Sequence, residues 1–179
     1  DIQSTPADLV CIIMQHVYEP LFTFDANSSL VPMLAEAMPK ISDDGKLYTI
    51  ALRKGVKLHS GRELNADDVV ASLKRWMEVS PRGKSVAAQV ADLVAKGPLN
   101  VEISLKNAYA PLLSQLAMAS GMAAIMAKES LAQPLRDYVG TGPYKFKERR
   151  PDQYVLLTRF DGYSARADAA SGYGGKRVA

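Results

Sequence analysis

Nucleophilic, metal-binding or acid–base chemistry in this chain would have to rest on few side chains. They are Cys11, His16 and His59, and the paired acids Asp43/Asp44 and Asp67/Asp68. A transition metal needs His, Cys or carboxylate ligands converging from spacings such as HExxH, HxH or CxxC, and the sequence holds none of these. Cys11 and His16 stand five residues apart, off the i, i+4 repeat that stacks two ligands on one helix face. Cys11 has no His or Asn at a spacing that would activate a thiolate, and the ordinary place of a free cysteine is the core. The GxSxG elbow and the glycine-rich phosphate loop are absent, and Gly140-Thr141-Gly142 lacks the third glycine and following helix of a dinucleotide site. Asp43 and Asp44 precede Gly45 as turn residues, and Asp67 and Asp68 follow a helix cap, where carboxylates meet the helix dipole. Binding without chemistry is therefore the expectation, with no catalytic residue, cofactor or metal.

The elements that would position a binding site are legible in the hydrophobic pattern. Leu9 to Phe22 is an apolar segment that starts as a helix and is ended by Pro20. After the Asp43-Asp44-Gly45 turn, Leu47 to Leu52 reads as a strand; Lys54-Gly55 interrupts it, Val56-Lys57-Leu58 resumes it and Ser60-Gly61 ends it. Asn65 caps a helix in which Val69, Val70, Leu73, Trp76 and Met77 recur at helical spacing, so the single tryptophan should be buried. Ser80-Pro81-Arg82-Gly83 is expected to close that helix, and Val86 to Lys96 to form a second amphipathic helix ended by Gly97-Pro98. Val101, Ile103 and Leu105 alternate as a half-buried strand, and Pro111 to Ala119 reads as a third helix with Pro111 at its first position. The uncharged stretch from Asn107 to Ala127 is too polar and too broken for a membrane span. Tyr144 with Phe146, and Tyr154 to Leu157, supply two further strands around Arg150-Pro151-Asp152. Beyond Gly162, glycines and alanines replace large apolar residues, and no packed element is expected.

Composition agrees with one globular unit: 179 residues, 47% hydrophobic and 23% charged, can bury a substantial core. A net charge of +3, from 22 basic and 19 acidic residues, gives no basic stripe for nucleic acid and no polybasic cluster for a membrane surface. One cysteine excludes an internal disulfide, which a domain of this size does not need outside the cytoplasm. No signal-peptide pattern follows Asp1.

Three stretches carry a resemblance: Val17-Tyr18-Glu19-Pro20-Leu21, the run from Asp43 through Gly45-Lys46-Leu47-Tyr48 to Lys57, and Gly140-Thr141-Gly142-Pro143-Tyr144-Lys145-Phe146. In this order and spacing they resemble the family 5 extracellular solute-binding proteins, the peptide, nickel and oligosaccharide receptors of ABC importers. The chain departs from the family in having Leu58-His59-Ser60-Gly61 where Phe-His-Asp-Gly is usual, and Met38 in place of a Trp. The resemblance implies an α/β, periplasmic-binding-protein-like (type II) fold with mixed sheets and flanking helices, present here as an N-terminal fragment. Residues 1–30 and 140–162 would be parts of a first lobe, 31–139 an accessory domain, and 163–179 a linker or disordered tail. Gly140-Thr141-Gly142-Pro143 would cross back to the first lobe and bring residues 9–30 close to 143–160. The implied function is the substrate-binding component of an ABC importer. It would be periplasmic and monomeric, its signal peptide removed, and would capture a small solute, expected to be a short peptide, for a membrane permease. A structural or adaptor domain, and after it a hydrolase using Cys11, are the alternatives. By resemblance, Cys11, Met14 and Gln15 face the ligand, as do Met118, Ser120, Gly121 and Met122 in the turn after the third helix. The methionines suit an adaptable apolar pocket, while Met118, Met122 and Met126 at four-residue spacing also fit a core stripe. The resemblance implies an arginine near this turn in members that grip carboxylate-bearing ligands, and none lies between Lys106 and Arg136, which argues against an arginine-clamped chelate.

Overall fold

The computed structural model describes residues 1–132 and 134–177. Gln133, in the expected accessory domain, and Val178 and Ala179, in the expected tail, lie outside the described residues.

Helix α1, Asp8–Met14, occupies only the start of the first apolar segment. The chain then runs extended through Pro20, because Glu19 bridges Ile125, its carbonyl accepting from Ile125 N–H at 3.0 Å. Strands β1 (Phe22–Phe24) and β2 (Leu30–Pro32) form an antiparallel hairpin. Strands β3 (Lys40–Ile41) and β4 (Leu47–Ala51) follow, joined by the predicted turn, in which Gly45 takes φ +69° and the Asp44 carboxylate accepts from Ser42 Oγ and Lys46 N–H.

Helix α2, Ala66–Val79, begins with a capping box: the Asn65 side chain accepts from Asp68 N–H, and Asp68 accepts from Asn65 N–H. Asp68 is fully buried, and burial pushes its carboxyl up. That push is outweighed by the Arg62 guanidinium at 2.8 Å and by backbone N–H donors of Lys128 and Asn65, which hold it below the usual range. Trp76 is 0% exposed, as its place on the apolar face predicts, and its indole N–H donates to the Gly121 carbonyl at 2.8 Å.

The next segment departs from expectation. Helix α3, Pro81–Ala87, starts at the residues read as a stop, with Pro81 in the first turn, where its missing N–H costs nothing. Gly83 is needed there, since a Cβ would stand 2.1 Å from the Trp76 carbonyl oxygen. The predicted helix Val86–Lys96 is instead the end of α3 followed by strand β5, Val90–Ala95. Pairing with β6, Asn100–Leu105, outweighs the helical spacing, and a bulge between Val90 and Asp92 keeps Leu93 facing the core. The sheet order is β3-β4-β6-β5, every pair antiparallel. Helix α4 spans Leu112–Ala117, and strands β7 (Tyr144–Arg150) and β8 (Tyr154–Arg159) form a last hairpin.

Two hydrophobic clusters result. The larger holds β4, β6, α2 and α4 side chains around Trp76; the smaller gathers Ile2, Met14, Val17, Tyr18 and Leu135, with Phe146 and Leu157 against it. The extended run 122–127 is their common wall: Met122, Ala124 and Met126 face the smaller cluster, and Ala123, Ile125 and Ala127 the larger. Met122 and Met126 thus share a core through the two-residue period of extended chain, while Met118 is 39% exposed.

The returning chain is laid against the residues before β1. Gly142 N–H donates to the Val17 carbonyl and Tyr144 N–H to the His16 carbonyl, both at 3.0 Å. A Cβ at Gly140 would lie 2.2 Å from Val17 O, and one at Gly142 2.4 Å from His16 O, so only glycine permits this approach. Residues 163–177 form no regular helix or strand, yet they are bonded to the fold throughout. Ser164 bonds Gly55 and Lys57, Arg166 donates to the Met33 and Ala35 carbonyls, and Tyr173 N–H reaches Phe24 O.

Candidate ligand groove

Where the end of α1, the β1–β2 hairpin, the turn after α4 and the 163–177 segment meet, they leave a groove lined by Gln15, Pro20, Thr23, Met33, Ala117, Ala119, Met122, Tyr173 and Arg177. Its lining combines apolar Pro20, Met33, Ala117, Ala119 and Met122 with polar Gln15, Thr23, Tyr173 and Arg177. Gln15 directs its backbone carbonyl to Arg177 Nη2 at 2.7 Å, which leaves its side-chain amide without a protein partner among the described residues. The groove has a cavity volume of about 20 Å³, room for a single water.

Next in the chain to the lining Pro20 is Glu19, 0% exposed. Its two carboxylate oxygens accept from Tyr163 Oη and Thr141 Oγ1, each at 2.8 Å. Burial pushes its carboxyl above the ordinary range, and the Arg177 and Arg53 guanidinium groups and the two hydroxyls oppose that push. Tyr163 is raised in turn, by burial first and by the Glu19 charge next. His59 holds the crossing from the other side: Nδ1 accepts from Gly140 N–H at 3.3 Å, so Nε2 carries the proton and donates to Gly142 O at 2.9 Å. Burial lowers its pKa, against the pull of the Gly142 bond.

Of the residues the resemblance assigned to the ligand, Gln15 and Met122 line this groove. Cys11 is buried and is not among the lining residues, and Met14 packs into the smaller cluster behind α1. Met118 sits between two lining alanines with its side chain exposed. Ser120 and Gly121 serve the fold through their carbonyls, which accept from Arg82 Nη1 at 2.6 Å and from Trp76 Nε1. An arginine therefore does reach this turn, delivered by α3 from outside the 106–136 window. Thr23, Met33, Tyr173 and Arg177 were given no role by the sequence. The last two lie in the segment read as a linker, where no periodicity marks a contact.

Comparison with known proteins places this arrangement. The sequence profile of the bacterial extracellular solute-binding proteins, family 5 Middle, matches residues 29–177. The nickel-binding periplasmic protein of Escherichia coli is 29% identical over 153 residues, covering 82% of this chain and 29% of that protein. The Probable peptide ABC transporter periplasmic-binding protein y4tO of Sinorhizobium fredii is 32% identical over 169 residues, 90% of this chain and 31% of its own length. Among solved structures, the dipeptide binding protein from Pseudoalteromonas sp. SM9913 in complex with Met-Leu superposes with a TM-score of 0.82 at 29% identity, over 96% of this chain and 39% of that one. The chain thus spans less than a third of the length of these two curated relatives. The periplasmic-binding-protein-like architecture and the profile match over most of the chain together make it a member of the family 5 bacterial extracellular solute-binding proteins.

Proposed function

We propose that the protein carrying this chain is the extracytoplasmic substrate-binding component of an ABC importer, which captures a short peptide and delivers it to a membrane permease. One observation carries the reading: five apolar residues line one groove together with Gln15, Thr23, Tyr173 and Arg177, whose side chains carry an amide, two hydroxyls and a guanidinium. Such a surface gives side chains an apolar bed and offers hydrogen bonds to backbone amides and charged ends. These are the needs of a peptide rather than of a bare metal ion, which would require carboxylate, imidazole or thiolate ligands. Similarity to receptors named for peptides and for a Met-Leu complex supports the same class.

The domain reading accompanies it: residues 1–30 and 140–162 as parts of a first lobe and 31–139 as an accessory domain whose main work is structural. In this reading the second body gives the groove only apolar side chains, Met33, Ala117, Ala119 and Met122, while Gln15, Thr23, Tyr173 and Arg177 come from outside it. The role is binding, not catalysis, and the monomer suffices for it.

Calorimetry of the full-length protein against di- to tetrapeptides, with Ni²⁺ and a general peptidase substrate as the other arms, tests the reading. Micromolar peptide affinity without turnover is expected. Binding of Ni²⁺ with no peptide binding, or hydrolysis blocked by a thiol reagent, would overturn it.

A further inference from the structure

The β7–β8 hairpin gives the groove no lining residue, and its two faces differ in character. One packs inward: Phe146 and Leu157, opposite each other in the register, lie against the smaller cluster. Cross-strand partners share a face and neighbours along a strand alternate, so Leu156 with its partner Glu148, and Tyr154 with its partner Arg150, point outward. Tyr154 is 41% and Leu156 38% exposed. A bulge after Phe146 sets Lys147 beside Glu148, both opposite Leu156. Glu148 has one oxygen taken by Tyr154 Oη at 2.6 Å, and the Arg150 guanidinium stands 5.5 Å from the centre of the Tyr154 ring, so the ring is held from both sides. Lys147 and Arg150 are exposed, and neither forms an ion pair among the described residues.

We propose that this outer face of the β7–β8 hairpin is a docking surface for the permease, and that it fits a permease surface carrying carboxylates around an apolar patch. A tyrosine and an arginine fixed in one register are the side chains on which interface energy concentrates. The two free cations decide what kind of partner covers them. A seam buried within one polypeptide would strip both of water with no partner for either, whereas an acidic protein surface pairs with them at a solvated rim and draws the receptor in. An anionic membrane is the poorer fit, because two free cations beside a carboxylate are well short of a polybasic cluster. Strands of seven and six residues make a platform about 20 Å long, the scale of a contact that forms and breaks rather than of a permanent interface. The groove stays unobstructed while this face is engaged, since the two share no residue. This inference rests on the importer reading above and adds the surface through which the receptor meets its permease.

The test uses the full-length protein and the permease complex it serves, reconstituted in phosphatidylcholine vesicles, with binding read by surface plasmon resonance at low and at physiological salt. Lys147→Glu, Arg150→Glu and Tyr154→Ala should each weaken permease binding by about tenfold or more, and wild-type binding should fall with added salt. Lys54→Glu, which makes the same charge change on an exposed residue of another element, should stay within about twofold of wild type. Peptide affinity by calorimetry and Tm should be unchanged in all four, and three separate hairpin positions keep the result readable if one variant fails to fold. Hairpin variants that bind the permease as the wild type does, or a Lys54→Glu variant that falls as far as they do, overturn the inference and leave the importer reading standing. So does a loss of peptide binding in the hairpin variants, which would place the hairpin in the ligand site. Binding of the wild type to phosphatidylglycerol vesicles without permease, lost in Arg150→Glu, overturns it in favour of the membrane. Failure of the wild type to bind the permease at all overturns the importer reading, and this inference with it.

Discussion

At the residue scale, Glu19 and His59 show how the chain satisfies ionisable groups that it keeps inside. Each oxygen of Glu19 has one hydroxyl donor, so deleting a donor leaves a buried carboxylate undersatisfied. Tyr163→Phe should lower stability by about 1.5–3 kcal/mol, read as the shift in urea midpoint at unchanged slope. For His59 the folded pKa lies below the unfolded value near 6.5, because burial disfavours the cation and Lys145 adds to that. A proton on Nδ1 would also confront the Gly140 N–H. Below pH 6.5 the unfolded chain therefore binds more protons, and stability is full above that pH and declines as the pH falls through the folded pKa. Urea midpoints at pH 7.5 and pH 5 should show this decline in the wild type and a smaller one in His59→Gln. Equal slopes would show that other groups govern the acid limb.

At the element scale, α2 is tied to the extended wall 122–127 at Ser72 and to the turn before it at Trp76, and truncation of Trp76 should be the most damaging single change to the larger core. Trp76→Ala removes a fully buried ring and orphans the Gly121 carbonyl, and should cost about 3–5 kcal/mol in equilibrium unfolding. A loss below about 1 kcal/mol would mean that the helix packs by another face. The elements legible in the sequence were those whose signal is local: the Asn65 cap with its apolar repeat, the Gly45 turn, and the alternation of Val101, Ile103 and Leu105. Strand β5 was not, since Val90 to Ala95 carries a helix-compatible spacing and becomes a strand only because β6 offers a partner. The same limit applies to the groove. Gln15 and Met122 came through the family resemblance, whereas Thr23 reaches the groove on the three-residue strand β1, and Tyr173 and Arg177 through a segment whose anchors are single polar bonds, which leave no periodic trace. Gly140-Thr141-Gly142 is the intermediate case. The motif was visible, but its reason, two close backbone approaches with a buried threonine between them, is visible only in the fold. Gly142→Ala should push the crossing off Val17 and be among the most destabilising of glycine replacements, measurable as a drop in Tm against the tolerant Gly55→Ala, where steric space is open and only positive φ is strained.

At the scale of the whole molecule, the proposed reading makes the groove one face of a two-lobed site, and affinity should then divide between the faces. A micromolar ligand carries about −8 kcal/mol, and if an opposing lobe supplies half of it, the remaining −4 kcal/mol or so corresponds to millimolar binding. Calorimetry of the isolated 179-residue chain should thus show no heat at micromolar peptide, while the full-length protein does. Full affinity in the isolated chain would place the entire site within it. The crossing at residues 140–144 also bears on how this chain comes to fold. Thr141 and Glu19 are 122 positions apart, so the bonds that join the returning strand to the start of the chain close a loop holding nearly everything between. That closure exacts its entropy before the contacts exist to offset it, and high contact order slows the search. In pulse-labelled refolding, the amides of α2 and β6 should become protected against hydrogen exchange first. Those of Gly142 and Tyr144 should become protected last, together with Ile125, because the smaller core and the seam beside it have no stable form until the two ends of the chain meet.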